Sequence, residues 1–271
     1  MGGMMSKGRT IEHNGILKNV RIALDQEQPN IGRAIETIES NWSGKKSRSR
    51  QNWRSKVVLL DENSGYLTNP NWKYSEVGLE RHIVVACAEV CAGRRDLWNQ
   101  MPVASGLLPL PSKDPNGKRP VSSEGRRAVD LIYRPEGAKG PVEFLELKVQ
   151  RRSGSRDSLR DAALELLEYG VLYLFSRKHR KTLGYDKPIE DNAYEVLDAP
   201  YVRLRVLAPP NYYEGQDIAS FSIDAANRAL EGYIRENEFG DLKMDIGFEQ
   251  LAKGGDAFSQ FVGKERWTGE K

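Results

Sequence analysis

Two strand-like runs, AVDLIYR (128–134) and PVEFLELKVQ (141–150), flank the turn segment PEGAKG (135–140), and they constrain this chain more than any other stretch of it. Strands want apolar residues facing the core, yet these two carry Asp130, Glu146 and Lys148. Side chains alternate faces along a strand, so Glu146 and Lys148 share one face, and Leu145, Leu147 and Val149 share the other. In the first run Val129, Leu131 and Tyr133 form the apolar face. Pairing Leu131 with Leu145 and Val129 with Leu147 sets a register that puts Asp130 opposite Glu146 and Lys148 opposite the small Ala128. A slip of one residue would break the apolar match and the charged cluster together. Pro135, Gly137 and Gly140 suit a hairpin connection longer than two residues.

Two adjacent carboxylates repel, and one of them tends to keep a proton unless a cation intervenes. A pair of carboxylates with retained waters suits Mg²⁺ or Mn²⁺. Such an ion lowers the pKa of a water and stabilises charge on a phosphoryl oxygen. A lysine beside it orients the nucleophile, holds it as hydroxide or stabilises a phosphorane-like transition state. The chemistry that follows is hydrolysis of a phosphodiester.

Asp130 on one strand, with Glu146-Leu147-Lys148 on the next, resembles the active-site pattern of the PD-(D/E)XK nucleases, the restriction-endonuclease-like superfamily. Val129 stands where the name of the group has proline, a position that supplies no ligand. The resemblance implies Asp130 and Glu146 as metal ligands, Lys148 as the catalytic lysine and a metal contact from the backbone carbonyl of Leu147. It also implies an acidic residue from a helix before the hairpin. Residues 74–92 read as that helix, with Ser75 as N-cap and an apolar face of Val77, Leu79, Ile83, Val84, Cys87 and Ala88. Glu80 is the candidate fourth acid, as an additional ligand or a base, and Glu76, one turn earlier, is the second choice.

The segment 157–177 reads as the helix after the hairpin. It carries Glu165 and Tyr169 one turn apart on one face, a spacing similar to the Gln-x-x-x-Tyr element of RecB-type exonucleases, with glutamate standing where that branch has glutamine. The resemblance spans roughly residues 74 to 207 and implies an α/β fold, a restriction-endonuclease-like mixed β-sheet flanked by helices on both faces. The implied activity is a Mg²⁺- or Mn²⁺-dependent deoxyribonuclease, an endonuclease before an exonuclease, with DNA as partner. Defence, repair or mobile-element processing follow as settings from fold analogy alone. Many enzymes with this site act as homodimers to cut two strands, but no dimer seam is legible.

Each piece also has a plainer reading. Glu-x-Lys on a strand is equally a solvated face with a cross-strand ion pair. Glu80 is equally the wet edge of an amphipathic helix. Glu165 and Tyr169 are equally a solvated glutamate and a core tyrosine. Three alternatives therefore stay open: a non-catalytic DNA-binding module of the same fold, an RNA-directed nuclease or exonuclease, and an interaction protein with a charged hairpin face.

The net charge is only +3, which does not by itself announce a nucleic-acid binder. Its distribution is more suggestive. Residues 44–56 are basic and free of acids, with Trp42 and Trp53 close by, a composition for phosphate contact and base stacking or for a solvated loop. Arg126 and Arg127 precede the Asp130 strand, Arg151, Arg152 and Arg156 follow the Lys148 strand, and a further basic run closes the helix at 176–181.

At 271 residues, with 39% apolar and 29% charged residues, the chain is long enough for a sizeable core and reads as globular. No apolar run reaches transmembrane length and the first ten residues lack a secretory h-region, so no membrane partner and a cytoplasmic location are expected. Cys87 and Cys91 are too few for a zinc site, and His13, His82 and His179 make no metal or triad spacing. The expected organisation is an N-terminal extension with a basic arm (1–73), a nuclease-like core (74–251) and a tail (252–271). Within it, 16–26 is read as a short strand and 30–42 as a helix. Segment 97–125 is one short strand plus a loop over the site, and 186–198 is a loop. Segment 201–209 is a strand, 218–237 a helix and 242–251 a strand.

Overall fold

The computed structural model describes residues 15–42, 74–80, 83, 97–102, 128–133, 141–154, 156–186 and 195–251. Its centre is a five-stranded mixed sheet in the order β1 (Leu97–Pro102), β2 (Ala128–Tyr133), β3 (Val142–Leu147), β4 (Tyr201–Ala208) and β5 (Lys243–Gln250). β1–β2 and β2–β3 pair antiparallel, whereas β3–β4 and β4–β5 pair parallel. The β2–β3 ladder pairs Leu131 with Leu145, Ile132 with Phe144 and Tyr133 with Glu143, the register expected from the apolar alternation. β3 is central and buried along its whole length, which is why it reads as an apolar run that only Glu143 and Glu146 interrupt.

Among the described residues the helices are α1 (Gly15–Leu24), α2 (Ile31–Asn41), α3 (Leu159–Lys178), the short α4 (Arg180–Leu183) and α5 (Pro210–Tyr213), and α6 (Ile223–Glu236), beside the helical residues 76–80 and 83. The crossover helix α3 links β3 to the parallel β4. Its Ser158 N-cap accepts from the Asp161 N–H at 3.0 Å, and the Ser158 hydroxyl bonds the Asp161 carboxylate at 2.6 Å. From Ala162 to Ser176 it is buried on nearly every side, because the sheet covers one face while α1 and α2 cover the other. At Gly170 the helix meets β4 closely: a Cβ there would lie 2.7 Å from Leu204 Cδ1.

The segment 16–26 is helical as far as Leu24 rather than a strand. Its buried residues are Leu17, Val20, Ala23 and Leu24, three and four apart, a helical period that buries one stripe against α2 and α3. Arg21 on α1 pairs with Asp161 and with the buried Glu168 of α3. This part of the N-terminal extension therefore belongs to the same core as the sheet. In α2, Asn30 caps the helix by accepting from the Arg33 N–H at 2.9 Å, and Ile31, Ala34, Ile35 and Ile38 point inward. Part of the loop expected at 186–198 is a 3₁₀ turn, Glu195–Asp198, which seats Val196 and Leu197 in the core. The helix expected over 218–237 begins later, at Ile223, after the separate 3₁₀ turn Ile218–Ser220.

The opposite face of the sheet carries Leu131, Leu145, Leu147 and Leu207. Leu79 and Ile83, from the helical residues 76–80 and 83, pack onto it. Helices thus lie on both faces, as expected for this α/β architecture. β5 is an edge strand among the described residues, and its outward backbone is met at Ile246: the Ile246 N–H donates to Asn227 Oδ1 at 2.8 Å, and Asn227 Nδ2 donates to the Ile246 carbonyl at 3.2 Å. Among the described residues no helix is long and apolar enough to cross a membrane. The basic segment 44–56, Arg126 and Arg127, both cysteines, His13, His82, the loop expected over the site and the C-terminal tail lie outside the described residues.

Candidate active site

The β2–β3 ladder stops one pair short of Asp130. In place of a backbone acceptor on β2, the Leu147 N–H donates to Asp130 Oδ2 at 2.9 Å. On its other side β3 stays bonded to β4, with the Lys148 N–H donating to the Leu207 carbonyl at 3.1 Å. The strand end is thereby held on both sides by different chemistry, and Asp130, Glu146 and Lys148 are brought together where β2 and β3 part. The parallel strands β3 and β4 end at the same place, so the segments that follow them, 148–154 and 209–216, lie beside the site, as at the carboxyl edge of other α/β sheets. Asn211 Nδ2 ties these loops together by donating to Gln150 Oε1 at 3.2 Å, and Arg156 Nη1 donates to the Asn211 carbonyl at 3.3 Å.

Lys148 is the hub. Its Nζ donates to Glu146 Oε1 at 2.6 Å and to Glu165 Oε2 at 3.5 Å, and it lies 3.9 Å from Glu76 Oε1. Tyr169 donates its hydroxyl to Glu165 Oε1 at 3.2 Å. α3 therefore does deliver Glu165 and Tyr169 to the site as a linked pair. Both glutamates read from the preceding helix also reach it: Glu76 faces Lys148, and the buried Glu80 is close enough for its charge to act on Asp130. Arg151 and Arg152 stand exposed just beyond the site, while Arg156 is half-buried.

The electrostatics follow from burial and an excess of carboxylates. Burial pushes Asp130 up to about 7, helped by Glu80 and Glu76, against the pull of Lys148 and the Leu147 N–H. Glu146 is driven well above the ordinary carboxylate range by burial and then by Asp130 and Glu165. Burial also raises Glu76. Burial alone would lower the Lys148 ammonium, but Glu146, then Glu165, Glu76 and Asp130, more than reverse this and raise it well above its usual value. The lysine is consequently a fixed cation at any physiological pH. Asp130, Glu146 and Glu76 hold their protons more tightly than ordinary carboxylates do.

One lysine does not neutralise these acids. Glu146 Oε2 is buried and has no hydrogen-bond partner among the described residues, an arrangement that is costly unless a cation or donor completes it. Among the described residues no three His, Cys, Asp or Glu side chains form a metal cage by themselves. The donor set is instead two carboxylates, Asp130 and Glu146, beside the Leu147 backbone, which fits an ion that keeps several waters, such as Mg²⁺ or Mn²⁺.

Sequence reasoning missed Gln150, Asn211 and Tyr74. Gln150 continues the face of Glu146 and Lys148 by the same two-residue alternation and was legible in principle. Asn211 and Tyr74 come from distant segments, and no local pattern marks them. Comparison of the chain with protein-family models, with curated proteins and with solved structures found no match to any of them.

Proposed function

We propose that the protein is a metal-dependent nuclease, an endonuclease in its primary action, that hydrolyses DNA phosphodiester bonds. The observation that carries this reading is the buried Glu146 carboxylate, bonded to Lys148 through one oxygen and without a partner at the other among the described residues, beside an Asp130 that holds its proton up to about pH 7. A purely structural ion pair has no use for the second acid, whereas a divalent cation accounts for both.

In this reading Asp130 and Glu146 hold Mg²⁺ or Mn²⁺, with the Leu147 carbonyl added by the family resemblance. The ion, when bound, polarises a phosphoryl oxygen and acidifies a water. Every other role falls to the chain. Lys148, locked as an ammonium by Glu146, Glu165 and Glu76, orients the attacking water and offers positive charge to the oxygens of the transition state. It does not serve as a base, because its neighbours hold the proton on it. Glu76, raised by burial and standing beside Lys148, is suited to accept a proton from the water. Glu80 biases Asp130, and Tyr169 fixes the Glu165 carboxylate. Arg151, Arg152 and Arg156 supply phosphate contacts along the rim.

The test is cleavage of supercoiled plasmid with Mg²⁺ or Mn²⁺, wild type beside Asp130→Ala and Lys148→Ala, followed by linear duplex, single-stranded DNA and RNA. Nicking or linearisation that disappears in both variants and with chelator supports the reading. DNA binding with no cleavage of any substrate would replace it with the non-catalytic module, and cleavage of RNA alone would change the substrate.

A further inference from the structure

Resting on the nuclease reading, we infer that Tyr74 and Arg152 form a stacking platform for an unpaired nucleobase, so that the site takes single-stranded or frayed nucleic acid in preference to an intact duplex. Tyr74 lies two residues before Glu76, whose carboxylate is 3.9 Å from Lys148 Nζ, and its ring is only partly buried. Arg152 lies four residues beyond Lys148 on the other wall, and its guanidinium carbon sits 5.4 Å from the centre of the Tyr74 ring. The pair therefore bridges the two segments that deliver Glu76 and Lys148, at the mouth of the site.

The loop is shaped to present these cations. The Gly154 N–H donates to the Arg151 carbonyl at 2.8 Å, closing a tight turn, and Gly154 adopts a φ of +79°, a conformation glycine takes without strain. Both Arg151 and Arg152 are exposed at that turn, Arg152 lying over the Tyr74 ring. Arg151 is also near enough to Glu76 for its charge to act on that carboxylate. An acidic centre fringed by an aromatic ring and two exposed arginines has the donor set for one nucleotide: the arginines for phosphate, the ring for a base.

Stacking decides the substrate form. In a duplex each base is already covered above and below by its neighbours, so a single tyrosine at a rim finds a base to stack on only where the strand is unpaired. A guanidinium already lying over the ring is compatible with that, since arginine planes stack on bases and rings alike.

The experiment is fluorescence anisotropy with a labelled single-stranded oligonucleotide and a blunt duplex of the same sequence, in chelator so that nothing is cut. The full-length wild type is compared with Tyr74→Ala, Tyr74→Phe and Arg152→Ala. Tyr74→Ala is expected to weaken single-strand binding by about 5- to 150-fold, the range for one lost base stack, with duplex binding unchanged and Tyr74→Phe close to wild type. Arg152→Ala is expected to reduce the salt dependence of binding by about one counterion, which Tyr74→Ala leaves intact. Equal loss on both substrates, or a drop in melting temperature that accounts for the loss, would assign the pair a structural role and overturn the proposal. Single-strand binding unchanged in Tyr74→Ala would also overturn it. Wild-type binding of no nucleic acid sinks the nuclease reading with it. The expected binding pattern without metal-dependent cleavage leaves the platform standing and removes only the catalytic reading.

Discussion

Lys148 Nζ lies 2.6 Å from Glu146 Oε1, on the same strand face two residues away, and both side chains are almost fully buried. The pair is held at the end of β3, where the backbone leaves β2 but stays bonded to β4. Removing one member leaves the other as an uncompensated buried charge, and that sets the first expectation. Lys148→Ala is expected to destabilise the protein by about 3 kcal/mol at pH 8, as for other broken buried pairs, and by less at pH 5.5, below the value of about 7 to which burial pushes Asp130. Urea denaturation at the two pH values measures it. An equal loss at both would show that the ammonium does not offset these acids. Plasmid cleavage by this variant is expected to fall at least about 100-fold.

The Asp130 carboxyl has a folded-state pKa of about 7, above its ordinary 3.8, so the folded protein binds this proton more tightly than the unfolded chain does. Its contribution to stability is complete below about pH 4 and is lost as the pH rises through about 7. The metal-free protein is therefore expected to melt at falling temperature between those limits. Asp130→Asn keeps an oxygen for the Leu147 N–H and cannot ionise. It is expected to flatten that slope and to melt higher than wild type at pH 8. Thermal scans of both proteins in chelator decide the matter, and a steeper slope in the variant would contradict the assignment.

Mn²⁺ competes with those same protons. At about 100 times its dissociation constant it is expected to stabilise the folded state by about 2.7 kcal/mol, and the gain is expected to be larger at pH 8 than at pH 6. Asp130→Asn and Glu146→Gln are each expected to abolish the rise in melting temperature. A rise that survives both would place the ion elsewhere.

Gly170 lets α3 lie directly on β4, and a Cβ there meets Leu204 Cδ1 at 2.7 Å. Gly170→Ala is expected to cost about 1–3 kcal/mol, since Leu204 is fully buried and has little room to move. Adding Leu204→Val is expected to recover part of the loss in a double-mutant cycle by urea denaturation. Simple additivity would show that the close approach is not the cause.

Asn227 bonds both backbone groups of Ile246 on the outer edge of β5. Asn227→Ala is expected to lower stability by about 1–3 kcal/mol, the cost of leaving such groups unmet, and to promote concentration-dependent association through the uncovered edge. Light scattering across a dilution series, alongside denaturation, checks both halves.

The β2–β3 register and the shared face of Glu146 and Lys148 were legible in the sequence because strand alternation is a local, two-residue property. The existence of α3 was legible too, as a helix over 157–177 closed by a basic run, but its burial on nearly every side was not. Segment 16–26 was misread as a strand because its short apolar stretch is ambiguous in period, and only packing against α2 and α3 selects the stripe Leu17, Val20, Ala23 and Leu24.

The sequence by itself determined which residues could form the site: Asp130, Glu146 and Lys148 are bound to one strand pair by the apolar pattern around them. The tertiary structure alone decided what surrounds them. Glu165 reaches Lys148 through the placement of α3 across the sheet, Glu76 reaches it from the helix on the other face, and Arg152 meets Tyr74 across the mouth. These contacts join segments far apart in the chain, and their distances depend on how helices pack on a twisted sheet, a property that no local periodicity encodes. The same holds for the charge states. Asp130 and Lys148 carry their ordinary chemistry in any short peptide; in the fold burial raises Asp130, the carboxylates gathered around Lys148 raise it against the opposing effect of burial, and together they make the cluster a place for a cation.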